Sequence, residues 1–239
     1  MASLSLRDAD VDRIVSRLVP VVQAGQRQVA QLTDAYISRV AVSVGVDWSA
    51  GLDLDAVVNY RGVPAVEVYR RPSVTAYMAL NRGETYEVAV QRGLTRLMSI
   101  TATDMQQAKN RAAASAIGRS GFQFFRRVLS GSENCALCAI ASTQRYTRGD
   151  LLPIHPACDC GVAVILSQRD PGQVIDSATL ELIHNEVERV TGAVDRAGRA
   201  PDYRDLVVTN LHGELGPTLG WRDEHFTGPS DVGRAAALE

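Results

Sequence analysis

Residues 135–160 read CALCAIASTQRYTRGDLLPIHPACDC and hold all four cysteines of this 239-residue chain. In the C-x-x-C half, Cys135 and Cys138 place two thiolates on one side of a tight loop. In the C-x-C half, an extended backbone points Cys158 and Cys160 to one face. Together the two halves supply the four soft ligands that tetrahedral zinc requires. The spacing therefore predicts one small metal-binding knuckle between residues 135 and 160.

His155 offers a competing ligand for the same metal, because imidazole also suits zinc. Pro156 stiffens the backbone between His155 and Cys158. Both an all-cysteine site and a site of three cysteines with the histidine are open. Four protein ligands leave no position for a reactive water, so the expected zinc is structural. The zinc is expected to hold the basic loop that carries Arg145 and Arg148 against the helical body.

Other uses of the cysteines also remain open. A chain that stays in the cytoplasm rarely keeps disulfides, but buried reduced thiols can simply pack in a core. A redox role for Cys135 and Cys138 is disfavoured, because no βαβ pattern surrounds them. Zinc binding is the favoured interpretation of the four cysteines, although the C-x-C half departs from the commonest zinc spacings.

Charge is distributed unevenly along the chain. The formal net charge of −2 requires any nucleic-acid contact to be local. Residues 92–149 carry nine Lys and Arg against two acids, whereas residues 150–239 carry seven Arg against fifteen acids. Basic residues at this density suit phosphates or an acidic protein surface, although an ordinary solvated face is the alternative. The candidate contacts are Arg119, Arg126, Arg127, Arg145 and Arg148.

Helical periodicity dominates the first half of the chain. Apolar residues from Val11 to Val40 recur every three or four positions, which predicts one long helix or two joined near Pro20. Residues 52–71 are expected to form a short helix or connector and then an extended stretch over residues 63–69. A short helix is predicted from Pro72, and further helix over 84–118, with Thr103 capping a second segment.

The second half mixes structure types. Residues 121–129 are expected to be helical, residues 161–166 to form a strand, and residues 177–190 to form a helix. Residues 192–232 lose their periodicity and suggest an irregular arm. The predicted fold class is α+β, mostly α, with a helical body, a small β-containing Cys/His zinc-knuckle-like module and an irregular C-terminal arm. Residues 235–239 look like a vector scar.

Several functional classes lack their sequence signatures. The chain contains no phosphate-binding G-x-x-x-x-G-K-[ST] loop, no G-x-S-x-G elbow and no H-E-x-x-H pair. It also has neither a secretory pattern at its N-terminus nor an apolar run of about 18 residues. The expectation is a soluble chain without a membrane segment.

The cysteine motif resembles that of a known family, the Mu F-like minor head proteins of tailed phages, also called head-morphogenesis proteins. Cys135, Cys138, His155-Pro156, Cys158 and Cys160 match its C-x-x-C and H-P-x-C-x-C pattern. The likeness covers roughly residues 70–190 and includes the helical lead-in around Thr103-Asp104 and Ala108. The segment 212–217, HGELGP, is similar to endings of actinobacteriophage members.

The resemblance implies a domain organisation. Residues 1–71 would form an N-terminal helical region and connector. Residues 72–191 would form the head-morphogenesis domain with its knuckle, and residues 192–234 a C-terminal arm.

The resemblance also implies a function. Such a protein is a minor capsid component, assembled in the host cytoplasm and carried in the virion interior. It would contact the portal protein, with scaffold, major capsid protein or non-specific DNA as further partners, and act in head assembly and DNA packaging or ejection. A non-enzymatic role is expected. The alternative is a capsid maturation protease, although the spacings assemble no Ser-His-Asp or metal-water site.

Overall fold

The computed structural model describes residues 8–129, 136–143, 145–147, 160–166, 177–192, 206–212 and 216–222. The predicted fold class is confirmed in its coarse form, because the described ranges are mostly helical with a small antiparallel sheet. None of the described helices is long and apolar enough to cross a membrane. The elements in chain order are α1 (Asp8–Ser43), α2 (Leu54–Val58), α3 (Ala65–Asn81), α4 (Tyr86–Gly118), β1 (Phe124–Val128), α5 (Ala136–Ser142), β2 (Tyr146–Thr147), β3 (Gly161–Ile165), α6 (Ser177–Thr191), β4 (Val207–His212) and β5 (Gly216–Trp221).

Helices α1, α3 and α4 pack together as the helical body. α1 is one continuous helix with Pro20 inside it, so of the two predicted possibilities the single long helix is confirmed. Its buried residues Val11, Val15, Val19 and Val22 recur every three or four positions and pack against α3 and α4. This apolar stripe packs α1 against its neighbours on both sides of Pro20.

The direction of each helix follows from its contacts. Gly25 of α1 lies against Met105 of α4, and further along Ile37 packs with Ile117, so α1 and α4 run parallel. Ala79, near the end of α3, packs with Ala89, near the start of α4, so α3 and α4 are antiparallel. Two neighbouring faces of α4 are thereby covered.

The axes of α3 and α4 approach closely at Gly93. A Cβ added there would lie 2.9 Å from the carbonyl oxygen of Pro72 and 3.3 Å from the Cβ of Ala76. Because backbone must move to make room, Gly93→Ala is expected to lower the free energy of unfolding by about 1–3 kcal/mol in urea titrations. Gly118→Ala is the control, since a Cβ there meets nothing within 4 Å. It should be neutral or stabilising, and an equal loss at both sites would contradict the close approach.

The sheet packs against the C-terminal half of α4. Its strand order is β2-β1-β3, and both pairings are antiparallel. Phe125 of β1 and Tyr146 of β2 stack and share a buried cluster with Ile117. The strand predicted at residues 161–166 is confirmed as β3, but the helix predicted over residues 121–129 is wrong. Every second side chain of β1 is buried, namely Phe125 and Arg127. Because one of these buried residues is an arginine, the sequence does not show the alternation of apolar and polar residues that indicates a strand.

Two predictions about the helical body are also wrong. The stretch over residues 63–69 is not extended, because α3 begins at Ala65 after Pro64 and runs through Pro72. Thr103 does not cap a second helix, because α4 is continuous, begins after the cap Thr85 and buries Thr103. Burial against neighbouring helices outweighs local propensity in both places. The expected domain boundary at residues 71/72 falls inside α3.

The C-terminal region contains ordered structure where an irregular arm was expected. β4 and β5 form an antiparallel hairpin, with Val207 opposite Trp221. Trp221 and Leu219 are buried in a cluster with α5 and with Ile183 and Val187 of α6, the helix predicted over residues 177–190. Residues 193–205, 213–215 and 223–239, including the suspected vector scar, lie outside the described ranges.

Candidate functional site

Two of the predicted metal ligands, Cys138 and Cys160, lie in the described ranges, and both side chains are buried and free of disulfides. Cys138 is in α5, and Cys160 immediately precedes β3. Both belong to one buried cluster, together with Leu137 and Trp221. The fold thus brings one cysteine from each half of the motif into the same cluster. The other predicted ligands, Cys135, His155 and Cys158, lie outside the described residues.

Arg127 has no exposed surface and contacts this cluster from β1. Its Nη1 donates a hydrogen bond to the Sγ of Cys160 over 3.0 Å. A buried guanidinium is costly unless an anion or several acceptors surround it. A positive charge beside a cysteine in turn favours the thiolate over the thiol. The contact is therefore suited to a site in which Cys160 is deprotonated.

Tyr146 completes the surroundings of the two cysteines. Burial raises the pKa of its phenol to about 12; the Arg127 guanidinium opposes this rise, whereas Cys160 and Cys138 add to it. The phenol donates a hydrogen bond to the carbonyl oxygen of Ala141 over 2.7 Å. Tyr146 is consequently a neutral donor at physiological pH, and Arg127 is the cation of the site.

This donor set fits a soft metal ion. Two buried sulfurs in one cluster, one of them hydrogen-bonded to a guanidinium, suit thiolate ligation, because the guanidinium offsets part of the negative charge of a metal–thiolate centre. Within the ranges that the structure describes, no three His, Cys, Asp or Glu residues come together as a metal-binding group. Any complete ligand set must therefore include residues outside the described ranges, where the predicted ligands Cys135, His155 and Cys158 lie, and zinc remains a prediction.

The five arginines predicted to bind nucleic acid or a partner do not share one role. The guanidinium of Arg119 pairs with Asp34 over 2.5 Å and donates to the carbonyl oxygen of Ser49 over 2.6 Å. It joins the end of α4 to α1 and the following connection. Arg127 is buried beside Cys160, so neither of these guanidinium groups is presented to a phosphate in this fold.

The other predicted arginines are placed differently. Arg145 is exposed and stacks on the ring of Phe124, with its Cζ 3.6 Å from the ring centroid. Arg126 is half-buried and projects from the same face of β1 as Phe124, because the two lie two residues apart on the strand. Arg148 lies outside the described ranges. A basic surface at this sheet face stays a prediction for Arg126 and Arg145.

A second polar site, which the sequence did not reveal, lies inside the helical body around Asp104 of α4. Its Oδ1 accepts a hydrogen bond from the Tyr60 hydroxyl at 2.9 Å, and its Oδ2 accepts one from the Tyr69 hydroxyl at 2.5 Å. The Nη2 of Arg61 lies 2.7 Å from Oδ1, and both charged side chains are less than a tenth exposed. Arg111 lies over the Tyr60 ring, 5.0 Å from its centroid.

Hydrogen bonds and ionic contacts to Asp104 hold the side chains of this site in a structural network. Burial raises the pKa of both Tyr60 and Tyr69, and the nearby Asp104 carboxylate raises them further, so both phenols stay protonated donors. The network ties α3 and the connection before it to α4. Its only sequence signal is the polar pair Thr103-Asp104 inside a helical stripe, where the sequence predicts the start of a second helical segment.

Comparison of the chain with protein-family models, with curated proteins and with solved structures finds no match. The resemblance to the head-morphogenesis family consequently rests on the spacing of the cysteines and the histidine. The features of this chain that bear on its function are that motif and the site around Arg127, Cys138 and Cys160.

Proposed function

We propose that this chain is a minor head protein of a tailed phage, of the Mu F-like head-morphogenesis type. It would sit with the portal protein inside the capsid and act in head assembly and DNA packaging or ejection. The observation that supports the proposal is that Cys138 and Cys160, one from each half of the motif, belong to one buried cluster, in which Arg127 donates to Cys160. A guanidinium beside a cysteine favours the thiolate that metal ligation requires.

In this proposal zinc is a structural ion. Cys135, Cys138 and Cys160 would bind it, with Cys158 or His155 as the fourth ligand. Strands β1 and β3 pair with Val128 opposite Gly161, so the ends of the segment 129–160 are already held together. The metal would then join the cysteine-bearing parts of that segment to each other, and the segment would present its surface to a partner.

A binding role is favoured over the capsid maturation protease. A protease would require a nucleophile that is activated by a base. The two buried serines in the described ranges, Ser120 and Ser142, donate instead to backbone carbonyl oxygens of Ile117 and Ala139. No observation in those ranges specifically supports an enzyme.

The proposal is tested by coexpressing the full chain with the portal protein of the same phage. The chain is expected to copurify with the portal, and replacing both Cys138 and Cys160 by serine should abolish capture by disordering the loop. Ser142→Ala is the matched control, since it alters a buried residue one turn along α5 and should leave capture intact. No complex with portal, together with no copies of the chain in purified heads, would overturn the assignment.

A further inference from the structure

Helices α1 and α4 share an apolar surface that faces solvent in the single chain. Four large apolar side chains of α1 and two of α4 form it. Val21, Leu32, Tyr36 and Met98 are each between 59% and 70% exposed, far more than core residues of a single chain. We call this surface the α1/α4 face; its residues are Ile14, Val21, Leu32, Tyr36, Leu94 and Met98.

The geometry places the two groups on one side of the helix pair. On α1 the successive members are 7, 11 and 4 residues apart, which are spacings that return to the same helical face. Gly25 lies on this face and touches Met105 of α4, where an added Cβ would be 3.3 Å from Met105 Cε. Met98 precedes Met105 by two turns, so it lies on the same side. The two parallel helices therefore present one continuous face.

The face has a symmetric arrangement about Gly25. Gly25 is the midpoint between Ile14 and Tyr36, and also between Leu32 and Leu18, a partly buried residue at the edge of the face that packs against the chain's own core. A second copy that runs antiparallel, with a two-fold axis at Gly25, would place Ile14 on Tyr36 of that copy and Leu18 on its Leu32. The surface is thus complementary to itself, which is the requirement for a closed two-fold dimer.

Charges at the two ends of the face suit the same arrangement. Asp10, which pairs with Arg13 one turn along at 3.4 Å, lies in the first turn of α1 with Asp8, whereas Arg39 lies near the C-terminal end, with Lys109 of α4 at the same end. An antiparallel second copy brings the acidic end of one chain to the basic end of the other, twice. A parallel copy would instead juxtapose like charges, which disfavours it.

A hollow at one end of the face offers space for side chains of the second copy. It has a volume of about 270 Å³ and is bordered by Leu32, Tyr36, Lys109 and Val162. In the antiparallel arrangement Ile14 of the second copy reaches this hollow. The face extends over roughly 33 Å along α1, and two helices about 10 Å apart give it on the order of 600 Å² per copy. That area is at the lower limit of specific interfaces.

We infer that this chain forms a two-fold symmetric homodimer through the α1/α4 face, with its axis at Gly25. The inference does not depend on the phage assignment. Sedimentation of the full chain at micromolar concentration is expected to give twice the 25.8 kDa mass of one chain. A protein that stays monomeric at every concentration would overturn it, whatever other partner then covers the face.

Single substitutions locate the interface. Leu32→Asp buries a charge at the contact, so it should weaken the dimer by at least about 100-fold without unfolding the chain, as circular dichroism would verify. Val74→Asp is the matched control, since Val74 is 56% exposed and lies on α3 away from its buried side. The control should remain dimeric. A dimer that survives Leu32→Asp, or is lost equally in the control, refutes the assigned face.

A charge exchange tests the antiparallel arrangement. Asp10→Arg and Arg39→Asp should each weaken the dimer by about 3- to 10-fold, because each creates like charges at both ends. The double variant restores opposite charges at both ends and should recover most of the affinity. A double variant no better than either single one would rule out this arrangement.

Discussion

Replacing Asp104 by alanine is expected to lower the free energy of unfolding by about 3–5 kcal/mol. The change leaves the guanidinium of Arg61 buried without its counter-charge, and it removes the acceptor of the Tyr60 and Tyr69 hydroxyls. A loss of this size is a large fraction of the stability of a typical domain. Urea titration followed by circular dichroism measures it directly.

The control is the exposed ion pair between Asp12 of α1 and Arg70 of α3, whose side chains are about half exposed. Asp12→Ala should cost less than about 1 kcal/mol, because water solvates the remaining charge. If Asp104→Ala were as mild as the control, the network around Asp104 would be hydrated and would not lock α3 to α4. Asp104→Asn, which retains one acceptor oxygen, should fall between the two.

Replacing Arg127 by methionine is expected to weaken zinc binding about 10- to 100-fold. Methionine fills a similar volume but removes the positive charge that favours a thiolate at Cys160. The parent protein, purified without chelator, should contain one zinc per chain by elemental analysis. Competition with a chromogenic chelator then gives the change in affinity.

Arg126→Met is the matched control for this experiment. Arg126 is the neighbouring residue on the opposite face of β1 and is only half-buried, so zinc affinity should be unchanged. The stability change provides an independent check. Arg127→Met should lower the free energy of unfolding more in the zinc-loaded protein than in chelator-treated protein, and an equal loss in both would contradict a metal–thiolate centre beside the guanidinium. A folded parent protein without metal would likewise contradict the zinc prediction.

Periodic apolar residues made the helical body largely predictable. The stripe from Val11 to Val40 identified α1, and the β-branched run at residues 161–166 identified β3. These elements bury one regular face, so their sequence carries the pattern of their packing. The prediction of an extended conformation for residues 63–69 was wrong for a related reason. The β-branched residues of this segment favour a strand locally, but α1 and α4 bury Val68 and Tyr69 only if the segment is helical.

The two polar sites were not equally accessible to sequence reasoning. The cysteine site was visible because its residues are rare and closely spaced. The role of Arg127 was not, because two consecutive arginines, Arg126 and Arg127, suggest a surface, and only the pairing of β1 with β3 turns Arg127 toward Cys160. Asp104 meets partners 35 and 44 residues away. No local pattern encodes such a contact, since it depends on how three segments pack.

The parallel pairing of α1 with α4 also bears on the order of folding. α3 and α4 are adjacent in the chain and antiparallel, so they can form a helical hairpin through a short connection. α1 reaches α4 only through contacts such as Gly25 with Met105, which enclose a far longer segment. The entropy lost in closing that segment is partly removed once α2 and α3 are in place. A nascent chain would thus complete the docking of its first helix, which also packs against α3, only after α4 has been synthesised.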